Sequence, residues 1–126
     1  MSHSRSRTSY VVRIRCTVHL RLGGARLGRR VYVNSLDLND YNLLEFEDDV
    51  VIGADAHLSG HTVEAGVVKT GGVHLGRNTT VGVSSIVEIG VTTGANCEIG
   101  ALSFVPKNTN LEADAIYAGI PARRIR

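Results

Sequence analysis

A period of six residues constrains this chain more than any other feature. Stepping by six from Leu75 gives Leu75, Val81, Val87, Thr93, Ile99, Val105, Leu111 and Tyr117, of which six are aliphatic. Four residues after each of the first seven come Thr79, Ser85, Val91, Cys97, Ser103, Thr109 and Ala115, all small or β-branched. Gly follows the large residue at 76, 82, 94 and 100, and upstream the beat runs through Phe46, Ile52 and Leu58, with Val50, Ala56 and Thr62 in the small slots. Six is not a helical period, and Gly at this density would cost a helix about 1 kcal/mol per interior site. The period fits a coil of short strands, three sides to a turn. A large side chain from each side fills the interior, and a small one fits the cramped slot beside it. Glycine is expected to permit the bend between sides. Stacked coils satisfy one another's backbone groups. Cys97 falls in a small slot and reads as a packing cysteine.

A second pattern precedes the beat. From Tyr10 to Leu22 the residues alternate, with Tyr10, Val12, Ile14, Cys16, Val18, Leu20 and Leu22 on one side and Arg13, Arg15, Thr17, His19 and Arg21 on the other. That is the pattern of a half-buried strand, expected to close the first coil or pair with a neighbouring subunit. The expected organisation is an N-terminal strand segment over 1–26 and a repeat domain over 27–126.

The repeats IGADAH, LGRNTT, VGVSSI and IGALSF, closed by AIYAGIPARRI, resemble those of the hexapeptide-repeat acyltransferases. The resemblance covers about residues 27 to 126. It implies an all-β fold, a left-handed parallel β-helix with one extended loop, and a homotrimer. The handedness comes from the resemblance alone, since crossover connections are normally right-handed. A narrower likeness, over residues 29 to 76, is to the C-terminal repeat region of nonribosomal-peptide-synthetase-like proteins, where the coil is part of a much longer chain.

The beat breaks once, in GHTVEAGVVKTGGVHLG, residues 60 to 76. Leu58 to Leu75 is 17 residues, which no whole number of sixes fills. With Leu58 to Val63 completing a side, the chain is expected to leave the coil near Glu64 and return near Val73. Loops that interrupt a regular scaffold are where function concentrates. In the resembled family such a loop walls the cleft between subunits where acyl donor and acceptor meet. One branch places a catalytic His where the chain departs into it, and His61 matches that placement. A neutral imidazole suits removal of a proton from an acceptor hydroxyl or amine. Glu64 is placed to orient it. Another branch carries its His just after the loop, in a segment resembling VGVSSIV; here that position is Ser84, so that base is missing. His57, His61 and His74 also lie near the loop, but His57 and His61 are four apart rather than at the five-residue spacing of zinc-dependent relatives. No metal is expected.

The closing AGIPARRIR matches the family segment that lies along the pantetheine arm of coenzyme A. The resemblance implies that Arg123 and Arg124 reach its phosphates, which guanidinium groups pair with bidentately. It also implies that Lys107 lies near the same groove and that Gly100, Ala101 and Gly119 allow close backbone approach. A solvated tail is the alternative for RRIR.

Charge bounds the partners. The net charge is +2, but eight arginines precede residue 31 and a run of acids follows, from Asp37 to Asp49. Without interleaved aromatics or a recognition-helix pattern, a solvated basic face is expected rather than a nucleic-acid surface. No apolar run approaches the roughly 18 residues needed to span a bilayer, the N-terminus lacks the apolar core of a secretory signal, and the two cysteines make no disulfide framework. A cytoplasmic setting is expected. The functional expectation is an acyl-CoA-dependent O- or N-acyltransferase, with acetyl-CoA or another acyl-CoA as donor and a small-molecule acceptor. The alternative is a noncatalytic trimeric scaffold, with a metal-dependent hydratase a weaker third.

Overall fold

A computed structural model describes residues 24–35, 38, 41–58 and 61–126. The alternating segment from Tyr10 to Leu22 lies outside them. The chain winds as a three-sided coil of two- to four-residue strands. The first face holds β1 (Arg26–Leu27), β3 (Leu44–Phe46), β8 (Val73–Leu75), β11 (Thr92–Thr93) and β14 (Asn110–Leu111). The second holds β2 (Tyr32–Val33), β4 (Val51–Ile52), β9 (Thr80–Val81), β12 (Glu98–Ile99) and β15 (Ile116–Gly119). The third holds β5 (His57–Leu58), β10 (Ile86–Val87) and β13 (Phe104–Val105). Every pairing within this coil is parallel.

The register states the repeat. His74 pairs with Thr92, and Thr92 with Asn110, each 18 residues on: one full coil. Glu45 pairs with His74, 29 residues on, which is one coil plus eleven. Those eleven residues are the broken beat.

The interior is as the period predicts. Leu75, Val81, Val87, Ile99, Val105, Leu111 and Tyr117 are buried, as are Phe46, Ile52 and Leu58. Thr79, Ser85, Val91, Cys97, Ser103 and Ala115 fill the small slots. Thr109 is half-buried. Polar slot residues stitch one coil to the next. Ser85 Oγ donates to the Gly100 carbonyl at 2.8 Å, Ser103 Oγ accepts from the Gly119 amide at 3.1 Å, and the Thr79 and Thr93 hydroxyls meet at 3.1 Å. No buried side-chain nitrogen or oxygen among the described residues lacks a partner, as low-dielectric interiors demand. The Cys97 thiol donates to the Glu112 carbonyl at 2.8 Å, and burial pushes its pKa up. It packs and does not react.

The bends differ from expectation. Gly76, Gly82, Gly94 and Gly100 do not carry positive φ. The turns are made one to three residues later by Asn78, Ser84, Asn96, Leu102, Asn108 and Asp114, all with φ near +60°, with Gly90 in the same role. Asn and Asp enter this left-handed region at low cost because their short polar side chains bond locally. The glycines serve close approach instead. A Cβ at Gly76 would stand 2.5 Å from the Gly94 carbonyl oxygen, and one at Gly82 would stand 2.5 Å from the Ala101 nitrogen.

Candidate functional site

The broken beat is an antiparallel hairpin. Its strands are β6 (His61–Glu64) and β7 (Val67–Thr70), with His61 opposite Thr70 and Glu64 opposite Val67. Ala65 and Gly66 both have positive φ, at 50° and 77°, the two-residue turn that matches strand twist. The hairpin leaves the coil at the edge between the third and first faces and returns at Val73, as expected. Departure is earlier than expected: His61 is already in the hairpin and pairs with Thr70. Thr62, which pairs with Lys69, is therefore not a coil slot. Alternating residues about Ala65–Gly66 were the available signal, but the six-residue beat, carried on to Val63, concealed it.

The remaining candidates fall on two edges. Lys107 is exposed in the turn after β13, on the third–first edge that the hairpin leaves. Gly100 and Ala101 lie after β12, on the second–third edge, and Gly119 reaches the same edge at the end of β15. A Cβ on Gly100 would meet the Ala118 Cβ at 3.1 Å, so successive coils run close here. The Gly119 φ of +107° is one that side chains rarely adopt. Within one subunit the structure thus groups Gly100, Ala101 and Gly119, and separates them from the edge that carries His61, Glu64 and Lys107.

The last residues are not a loose tail. Strand β16 (Ala122–Arg124) turns back antiparallel on β15, with Arg123 opposite Ala118 and Arg124 opposite Tyr117. The Ile125 amide then donates to the Ile116 carbonyl at 2.8 Å. Arg124 lies 3.4 Å from Glu112. Arg123 is exposed and forms no ion pair among the described residues.

One cluster was missed from sequence. His74 lies between two carboxylates of β3 and its turn: Nε2 is 2.6 Å from Glu47 and Nδ1 is 3.5 Å from Glu45. The 29-residue step places Glu45 beside His74 and would have found it. Both ring nitrogens face carboxylates, so the ring is a cross-coil tie rather than an open base. Among the described residues no group of three or more His, Cys, Asp or Glu is placed to hold a metal ion, and no helix is long and apolar enough to cross a membrane.

Comparison with known proteins matches this geometry. No family model matches the chain. It is 33% identical over 108 residues to the galactoside O-acetyltransferase of Escherichia coli K12, covering 79% of this chain and 52% of that protein. It is 29% identical over 108 residues to the delta-poly-L-ornithine synthetase of Acinetobacter baumannii, covering 86% of this chain but 8% of that protein. The chain therefore spans about half, or far less, of the curated relatives it matches. In structure it superposes on a hexapeptide-repeat acetyltransferase of Vibrio cholerae, solved with acetyl coenzyme A, with a TM-score of 0.74 at 20% identity. That superposition covers 82% of this chain and 60% of the other. The period, the 18-residue register and these likenesses lead to one conclusion: the chain is a hexapeptide-repeat protein with the left-handed β-helix fold of this acetyltransferase family.

Proposed function

We propose that the protein is an acyl-CoA-dependent O- or N-acyltransferase, acting on a small hydroxyl or amine acceptor in the cytoplasm as a homotrimer. The observation that carries the reading is the single interruption of an otherwise regular coil by an eleven-residue hairpin with His61 on its first strand. The likeness to acetyltransferases supports it. Within one subunit the hairpin and the Gly100–Gly119 edge lie apart, so a site using both needs a second copy. A closed trimer places one subunit's hairpin beside the next subunit's edge.

In this reading the donor lies along the edge formed by Gly100, Ala101 and Gly119. Arg123, Arg124 and Lys107 face its phosphates. The acceptor oxygen or nitrogen attacks the thioester carbonyl while His61 takes its proton, and Glu64 positions the imidazole. The carbonyl carbon gains the bond to the acceptor and loses the bond to sulfur. The departing thiolate takes the proton from the imidazolium. General-base help of this kind contributes about 10²–10⁴-fold.

The decisive test pairs calorimetry of coenzyme A and acetyl-CoA with thiol release on a panel of acceptors, for wild type and His61→Ala. Unchanged donor affinity with turnover reduced by about 10²-fold or more is the expected result. Failure of the folded protein to bind either donor would move the assignment to the second reading, a noncatalytic scaffold. That reading has an observation of its own: Ser84, with φ of 58°, stands where one branch of the family has its base.

A further inference from the structure

Of the turn residues that take positive φ in the coil, one is out of character. Asp55 and Ser84 precede Leu102 along the second–third edge, and Asn or Asp fills the position at Asn78, Asn96, Asn108 and Asp114. Leu102 adopts φ of 56° with a branched aliphatic side chain that gains no local hydrogen bond in return, a conformation disfavoured by Cβ sterics. It is not buried in compensation. Leu102 is 67% exposed, and its neighbours on the same edge, Val83 and Ile120, are 49% and 78% exposed. The Leu102 amide donates to the Val83 carbonyl at 2.9 Å, so the two stand on adjacent coils. Beside them on the third face lie Ile86, 40% exposed, and Phe104, paired in register. The strip ends at the terminal hairpin, where Arg123 is without an ion-pair partner among the described residues.

An exposed apolar strip that ends at an unpaired guanidinium fits a ligand with a long apolar arm and an anionic end. We infer that this strip is an acyl rail: Leu102, with Val83 and Ile86, holds the hydrocarbon of a medium-chain acyl-CoA, and the donor is longer than acetyl. The inference rests on the donor-edge reading above and names the substrate class of that site. Adjacent coils are spaced by about 4.8 Å, so the strip from Val83 past Leu102 to Ile120 is about 10 Å long. A chain lying on it gains contact with each added methylene, by about three- to fourfold in affinity where burial is complete.

The test is calorimetric titration of coenzyme A, acetyl-CoA and octanoyl-CoA, below micelle-forming concentrations, into wild type, Leu102→Gly and Val51→Thr. Glycine accepts the Leu102 backbone conformation without strain, so the variant folds. Val51 is a partly exposed aliphatic on the second face and reports general stickiness. Octanoyl-CoA is expected to bind wild type and Val51→Thr at least tenfold tighter than acetyl-CoA. In Leu102→Gly that preference falls to threefold or less, while coenzyme A binds all three proteins equally. Coenzyme A binding with equal affinities for the two thioesters, or a preference that survives Leu102→Gly, overturns the rail and leaves the donor edge standing. Absence of binding by all three ligands overturns the donor edge itself, and the rail with it. A change of oligomeric state in Leu102→Gly with no change in thioester preference overturns the rail in favour of a second copy as the strip's occupant.

Discussion

Two edges of the coil are built on the same backbone turn and used in opposite ways. On the first–second edge the left-handed positions are Arg30, Asp49, Asn78, Asn96 and Asp114. They are tied to one another: Arg30 Nε lies 2.6 Å from Asp49, the Asn78 amide donates to Asn96 at 2.9 Å, and the Asn96 amide donates to Asp114 at 2.9 Å. On the second–third edge the matching positions are Asp55, Ser84 and Leu102, with Val83 and Ile120 exposed beside them. The first edge stabilises the stack by side-chain bonds between coils. The second forgoes those bonds and leaves an apolar surface open. The left-handed turn sets only the backbone; the side chain placed there decides whether an edge serves cohesion or contact.

The largest effect that bears on this contrast comes from the glycines beneath the turns. Gly82→Ala should cost about 2–3 kcal/mol by overpacking, because its Cβ would press on the Ala101 backbone at 2.5 Å. Gly100→Ala on the same edge, with the Ala118 Cβ at 3.1 Å as its nearest neighbour, should cost less than about 1 kcal/mol. Urea midpoints at constant slope measure both. Equal costs would mean that coil spacing along this edge is uniform.

A change of sign comes next. Asn96→Gly keeps the turn but removes two side-chain bonds, and should destabilise by about 1 kcal/mol. Leu102→Gly should stabilise by about 0.5–1 kcal/mol, because relief of the left-handed strain exceeds the added freedom of the unfolded chain. Loss of stability in Leu102→Gly would show that the leucine is held by contacts the contrast leaves out.

The smallest effect is on pH dependence. The Arg30 guanidinium, bonded to Asp49, holds that carboxyl below its ordinary value. A depressed folded-state pKa adds stability above the unfolded value, about 3.9, and that contribution is lost as the pH falls through the folded value. Both groups are fully exposed in that setting, so the effect is small and salt-screened. Arg30→Ala should flatten the acid limb of the stability–pH curve below about pH 4 and leave neutral pH nearly unchanged. An unaltered acid limb would detach Arg30 from the ladder.

Much of the fold was legible because a six-residue period leaves few solutions. The large positions from Phe46 to Tyr117 and the slots from Val50 to Ala115 are buried as the spacing requires, and the length of the interruption matches the register step. The turn residues were equally visible, with Asn78, Asn96, Asn108 and Asp114 all on multiples of six. They were overlooked because glycine, the usual carrier of positive φ, stood nearby in a different role. The hairpin was read as a loop because its two strands pair only with each other, outside the period. The candidate site was legible only in parts. Sequence order can place His61 in an excursion and Arg123 in a closing segment, but which edge each occupies depends on how many sides the coil has turned, a sum that one inserted hairpin shifts. The His74–Glu47 contact joins residues 27 apart in sequence and follows from the same sum.

The reversal of the chain at β16 reaches beyond its own subunit. A parallel coil ends in open strands, and an open end invites the next molecule to add another layer and so to grow a fibre. On the second face the terminal strand lies antiparallel across that opening, with Arg123 and Arg124 exposed along it. A newcomer in parallel register finds the backbone of β15 already taken and two like charges at the rim. The same few residues proposed to meet a donor's phosphates thus make the stack finite.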